Sequence, residues 1–240
     1  MSCTRGAGLS VADMYWREDD NSKPEFEIPA EVYDLVFSLR GSRLQIDHAH
    51  ALAEALRCRL KAETCQRIGV HGVHMAGSGN GWNRSEQSDA ELPLSRRTRL
   101  AIRVHRDDHE EVASLSQQSL QLGEQQLRLG DSSIRKLSSL GCLYARAVCC
   151  DREQPESDFL AQVADSLRGL GIDVAKMICG RSGEIRGNDG SLFTRALLVA
   201  DLSPEESVAL QQRGLGDERL LGCGLFVPHR GIDAVYNMQE

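Results

Sequence analysis

Short apolar runs recur along the chain with a period that switches between two and about 3.6, the pattern of strands alternating with helices. Residues 32–39 read as a strand. Residues 46–61 read as a helix that gathers Ala49, Leu52, Ala53, Leu56 and Leu60 on one face. A second strand is expected over 68–75 and, after a long loop of glycine, asparagine and serine, a third over 98–104. Asp107 or Asp108 can cap a short helix reaching about Gln118, and residues 120–129 supply a last strand through a hairpin turn at Gly123. The order is βαββαβ.

The second half repeats it. Residues 143–149 read as a strand, 156–170 as a helix ended by Gly171, and 174–179 as a strand. A hairpin turning at Gly187-Asn188-Asp189-Gly190 leads into a strand over 192–200. Ser203-Pro204-Glu205-Glu206 combines an N-cap, a proline in the first turn and two acids at the positive end of a helix that runs to about Gly214. A final strand follows over 220–227. The expected fold class is α+β, with two tandem ferredoxin-like units of the RRM-like βαββαβ type. The corresponding domains are 25–138 and 141–240, after an N-terminal extension over 1–24 whose first residues carry no periodic pattern. Met14 is a candidate for the true start of translation.

Composition changes this picture in one respect. The net charge of −7 argues against a nucleic-acid partner, but the 28 basic residues are 24 arginines and only four lysines. Arginine's planar fork suits bidentate phosphate contacts and stacking on bases. Arg96, Arg97, Arg99, Arg103 and Arg106 fall in one stretch with no acid among them. The eight cysteines are scattered without a C-x-x-C pair or a Cys/His cluster, so they read as small buried residues of a reducing compartment. No apolar run approaches the ~20 residues of a membrane span, and the chain reads as a soluble cytoplasmic protein.

Two features bear on function. The segment from Gly214 to Phe226 holds four glycines, Gly214, Gly216, Gly222 and Gly224, with Arg219 among them. Such a cluster asks for unusual dihedrals or the close approach of another backbone. It lacks the Lys-Ser/Thr end of a P-loop and precedes a strand rather than a helix. The strand over 98–104 lacks the stacking aromatics of an RNA recognition motif, so RNA binding here would rest on arginines, loops and glycine backbone.

Val36-Phe37-Ser38-Leu39-Arg40, Ile46-Asp47-His48-Ala49-His50-Ala51-Leu52, Ser78-Gly79-Asn80-Gly81-Trp82, Leu94-Ser95-Arg96-Arg97-Thr98-Arg99-Leu100 and Leu220-Leu221-Gly222-Cys223-Gly224-Leu225-Phe226-Val227-Pro228-His229 together resemble the repeat-processing endoribonucleases of CRISPR systems. This is the Cas six family of the RAMP superfamily, and the chain looks most like its myxococcal-type branch over residues 14–233. The resemblance implies metal-independent cleavage of CRISPR precursor transcripts within the repeat. Attack by the adjacent 2′-hydroxyl would leave a 2′,3′-cyclic phosphate and a 5′-hydroxyl, with no cofactor and no metal. It implies CRISPR repeat RNA as partner, both as stem-loop precursor and as mature guide, leaves room for other subunits of an effector complex, and implies no membrane.

A group titrating near neutrality suits the two proton transfers. His48 follows Asp47 in the first turn of the first helix, where the helix end is expected to face solvent, and it matches the position of the family's usual catalytic histidine. His74 is its rival, placed before the flexible Gly77–Trp82 loop. His50 reads as a solvated helix residue, and His71, His105 and His109 as strand or helix-surface residues; His229 lies beyond the last strand. Arg96 and Arg97 are candidates for stabilising charge on phosphorus. Arg181 and Arg186 flank the second-half hairpin and are candidates for the RNA stem. Gly214, Gly216, Arg219, Gly222 and Gly224 are expected to form a backbone surface on which RNA lies. The alternative is a non-catalytic RNA-binding subunit of the same superfamily. A ferredoxin-like sensor of small ligands would leave the arginine stretch without a purpose.

Overall fold

A computed structural model describes residues 26–41, 43–73, 91–187 and 190–229. The first half begins with β1 (Val32–Arg40), the short β2 (Arg43–Gln45), α1 (Ala49–Arg57), α2 (Ala62–Arg67) and β3 (Gly69–Val70). It continues through β4 (Glu91–Pro93), β5 (Arg99–His105), a 3₁₀ turn, α3 (His109–Ala113), β6 (Ser119–Leu122) and β7 (Gln125–Arg135). These strands form a five-stranded sheet in the order β3-β5-β1-β7-β6, while β2 and β4 pair separately. Setting aside the β6 hairpin arm, this is the antiparallel ferredoxin-like arrangement, with the first and third strands at its centre.

The second half comprises β8 (Leu143–Cys149), α4 (Glu156–Gly169), β9 (Lys176–Gly187), β10 (Gly190–Ala200), α5 (Pro204–Arg213), a second 3₁₀ turn and β11 (Phe226–Pro228). Its sheet order β11-β8-β10-β9 repeats the same arrangement. The tandem ferredoxin-like reading is therefore correct.

Local chemistry accounts for the helices. In α1 the buried side chains Leu52, Ala53, Ala55 and Leu56 form one stripe, whereas Ala49 is only half-buried. At α5 the Ser203 side chain accepts from Glu206 N–H and the Glu206 carboxylate accepts from Ser203 N–H, a reciprocal capping box beside Pro204. Gly171, at φ 78°, ends the α4 turn.

Several boundaries differ from expectation. The expected 46–61 helix is shortened to Ala49–Arg57, and a second helix that was not expected, α2, starts where Lys61 is extended and donates its N–H to Glu111 Oε1 at 2.6 Å. The 68–75 strand keeps only Gly69–Val70 in the ladder among its described residues, and the expected strand over 174–179 runs on to Gly187. The expected 220–227 strand forms only at Phe226–Pro228. Gly222 and Gly224 have φ 87° and 65°, values that lie outside any strand, so the chain turns before it pairs.

The two halves are joined by the glycine segment. Leu220 and Leu221 belong to the first half's core, alongside Leu56, Ile68 and Val70. A Cβ at Gly69 would lie 2.5 Å from the Leu225 side chain, so glycine there admits a leucine from the other half. Arg103 on β5 completes the joint. It is 1% exposed, pairs with Asp34 through Nε and Nη2 at 2.9 and 3.3 Å, and donates Nη1 to the carbonyls of Gln211 and Phe226 at 2.8 and 2.9 Å. Among the described residues no helix is long and apolar enough to cross a membrane.

Candidate functional site

The N-terminal end of α1 brings together residues from both halves. His48 is its N-cap and is 5% exposed. Its Nδ1 lies 2.8 Å from the Gln45 carbonyl and 3.1 Å from that of Ile46, so Nδ1 must carry the proton. Its Nε2 accepts from the Val73 N–H at 3.0 Å. Donor and acceptor roles together fix a neutral imidazole. The expectation that this helix end opens to solvent at His48 is therefore corrected: the chain leaving β3 returns over the helix start and covers the ring. His74 and the glycine-rich loop through Trp82 lie outside the described residues.

His50 also departs from expectation. It is half-buried rather than solvated, because its ring lies against the tip of the β9–β10 hairpin. A Cβ at Gly187 would come within 2.7 Å of both Cε1 and Nε2 of His50. Beside it, the Asp47 Oδ2 accepts the Arg186 N–H at 3.1 Å. Sequence reading gave Asp47 no role of its own; its place next to two histidines at a helix start was the available signal.

Arg96 and Arg97 are exposed in the turn that leads into β5, which is held by the Thr98 N–H to the Ser95 carbonyl and the Ser95 N–H to Thr98 Oγ1, both at 3.0 Å. Val70 pairs with Ile102 and the His71 N–H donates to the Ala101 carbonyl at 2.9 Å, so the chain that leads on to Val73, the partner of His48, leaves β3 toward the Arg99 end of β5. The arginine turn thus lies at the same end of the first sheet as His48. Arg40 and Arg128 are direct cross-strand partners at that end and both are exposed, a like-charge pairing that an isolated sheet disfavours. Arg181 and Arg186 are exposed on β9, the outer strand of the second sheet.

The glycine segment is largely closed on its own chain. A Cβ at Gly224 would sit 1.7 Å from the Leu215 carbonyl oxygen, one at Gly214 would sit 2.6 Å from the Gly224 oxygen, and one at Gly222 would sit 3.0 Å from the Val70 oxygen. Gly214 and Gly224 are buried, Gly222 is half-buried, and Gly216 is exposed with nothing within 4 Å of its Cβ position. The backbone that Gly214, Gly222 and Gly224 admit is the protein's own, where RNA was expected. Arg219 donates Nη2 to the Gln212 carbonyl at 3.2 Å. Burial, aided by the charge of Arg103, lowers its guanidinium from the ordinary arginine value.

Toward the opposite end of the first sheet, where Asp34 on β1 pairs with Arg103 on β5, lies a buried charge cluster that the sequence reading missed. Burial pushes the Asp34 carboxyl up, but His71 and Arg103 outweigh it and hold the group far below the carboxylate range. Arg135 adds a third partner at 2.9 Å. His71 was expected to be a plain strand residue without a role. It is largely buried with Nε2 3.5 Å from Asp34 Oδ1, and burial lowers its pKa. The signal was an aspartate within an apolar strand, opposite Arg103.

The Cas6 CRISPR family model matches residues 33–231 of this chain. A relative from Myxococcus xanthus (strain DK1622), the CRISPR-associated endonuclease Cas6, is 29% identical over 196 residues, covering 81% of this chain and 80% of its own. Among solved structures, a CRISPR-associated protein Cas6 superposes with a TM-score of 0.59 at 10% identity, over 83% of this chain and 100% of the other. The product of a Cas6-related gene from Pyrococcus furiosus gives 0.52 at 10% identity, over 81% and 97%. At such identities these two likenesses concern the fold.

Proposed function

This chain belongs to the Cas6 CRISPR family, and from that premise we propose that it is a metal-independent endoribonuclease that cuts CRISPR precursor transcripts within the repeat to release guide RNAs. The observation that carries the reading is the start of α1, where Asp47 accepts the Arg186 N–H from the second half and His50 packs against Gly187, with His48 toward the end of the first sheet that bears the exposed Arg96 and Arg97. A base takes the proton of the 2′-hydroxyl next to the scissile bond, the oxygen attacks phosphorus, and an acid returns a proton to the departing 5′-oxygen. The products are a 2′,3′-cyclic phosphate and a 5′-hydroxyl. One histidine titrating near neutrality can serve either transfer, which contributes on the order of 10²–10⁴-fold. Arg96 or Arg97 supplies positive charge as the phosphorane forms. Arg181, Arg186 and the exposed Gly216 extend the RNA surface.

His48 is the proposed acid or base. Its Nε2 becomes available when RNA draws the Val73 amide away, and Val73 directly precedes His74. Single-turnover cleavage of repeat RNA in EDTA, with end-group analysis, tests the reading. His48→Ala is expected to slow cleavage by on the order of 10²–10⁴-fold with little change in affinity, and an equal loss confined to His74→Ala or His50→Ala moves the role there. The second reading, RNA binding without cleavage, is favoured by the engagement of both His48 ring nitrogens by backbone. RNA left intact by the wild type establishes it.

A further inference from the structure

We propose that Asp47 is a positioning residue: with His50 and Gly187 it latches the β9–β10 hairpin onto the start of α1 and so fixes the hairpin arginines relative to the cleavage site. This rests on the function proposed above. As the outer strand of its sheet, β9 turns alternate N–H groups away from β10, and these have no strand partner. The Arg186 N–H is one of them, and Asp47 Oδ2 accepts it at 3.1 Å, across 139 residues of sequence. One residue further, Gly187 lies so close to the His50 ring that a methyl group would fall 2.7 Å from Cε1 and Nε2. Leu192, on the returning strand, packs against the first half's core and anchors the hairpin's other limb.

The contact adds to the Leu192 packing and ties together elements of the two halves. Arg181 and Arg186 ride on β9, which belongs to the second sheet, whereas His48 and His50 ride on a helix of the first. An RNA held by the hairpin and cut beside α1 must be placed to within about an ångström, since a misplacement of that size costs on the order of 100-fold in rate. Asp47 provides that registration through a hydrogen bond rather than through its charge. An amide oxygen should therefore serve as well.

The test compares Asp47→Ala, Asp47→Asn and Gly187→Ala by single-turnover cleavage, RNA affinity and hydrogen exchange of the Arg186 amide in the free protein. Asp47→Ala and Gly187→Ala are expected to lose on the order of 10- to 100-fold in cleavage rate, with affinity within about threefold, and to lose Arg186 amide protection. Asp47→Asn should restore both. The proposal is overturned if Asp47→Asn is as slow as Asp47→Ala, which would make the charge the active feature, or if Asp47→Ala keeps its rate. Should the wild type prove unable to cut repeat RNA, the functional reading fails by itself. Arg186 protection in the free variants then still decides whether the latch exists, and unchanged protection in Asp47→Ala refutes it.

Discussion

Alanine at Gly224 separates internal packing from RNA contact in the glycine segment. The new Cβ would lie 1.7 Å from the Leu215 carbonyl oxygen and 2.6 Å from its carbon, on a backbone at φ 65°. Both atoms are backbone, so the loop itself must move. The left-handed conformation alone costs an L-residue about 1–2 kcal/mol. Movement also breaks the Leu215 N–H to Gly224 and Gly224 N–H to Ala147 hydrogen bonds, at 3.0 and 2.7 Å. Each buried group left unpaired costs about 1–3 kcal/mol, for a total of about 3–8 kcal/mol. That is a large share of the ~5–15 kcal/mol that holds a typical domain. At about 2–4 °C per kcal/mol for a chain of this size, the unfolding midpoint should fall by at least about 6 °C.

Gly216 is the control. It has φ 74° but is exposed, with nothing within 4 Å of its Cβ position, so only the conformational term of about 1–2 kcal/mol applies. Thermal unfolding of both variants by circular dichroism, beside RNA affinity, makes the measurement. Gly224→Ala should melt well below Gly216→Ala. Equal midpoints, with Gly224→Ala weakened only in RNA binding, would refute internal packing as the reason for that glycine.

The remaining predictions concern the buried charges. Arg103→Ala leaves the buried Asp34 with only Arg135 and His71 and takes that donor from the carbonyls of Gln211 and Phe226, and should cost about 3–5 kcal/mol in urea unfolding; a loss under about 1 kcal/mol would show that Arg103 does not weld the halves. His71 is neutral in the fold with its pKa lowered by burial. The unfolded chain takes up a proton below about pH 6.5 that the folded chain resists, so this contribution is complete above that pH. It is lost as the pH falls, at up to about 1.4 kcal/mol per unit. His71→Asn should flatten stability between pH 6.5 and 5, and an unchanged slope would clear His71 of the effect.

The element order was legible because each element carries its own instruction. The Ser203-to-Glu206 capping box, Pro204 and the Leu52, Ala53 and Leu56 stripe act over a few residues, and they hold in the structure. What went astray depended on distant partners. Lys61 starts α2 where Glu111, 50 residues later, accepts its N–H. His71 read as a plain strand residue because Asp34, 37 residues earlier, was not yet beside it.

Sequence by itself determined two tandem ferredoxin-like units, an arginine-rich end to the first sheet, and a helix that starts at Asp47-His48. Hydrophobic period and local capping suffice for that, since both are short-range. Tertiary structure alone decided what the glycines admit and which histidine nitrogens are occupied. It also decided which edge N–H an aspartate holds from the other half of the chain. Those are contacts between backbones and rings far apart in sequence, fixed only when two cores pack against one joint.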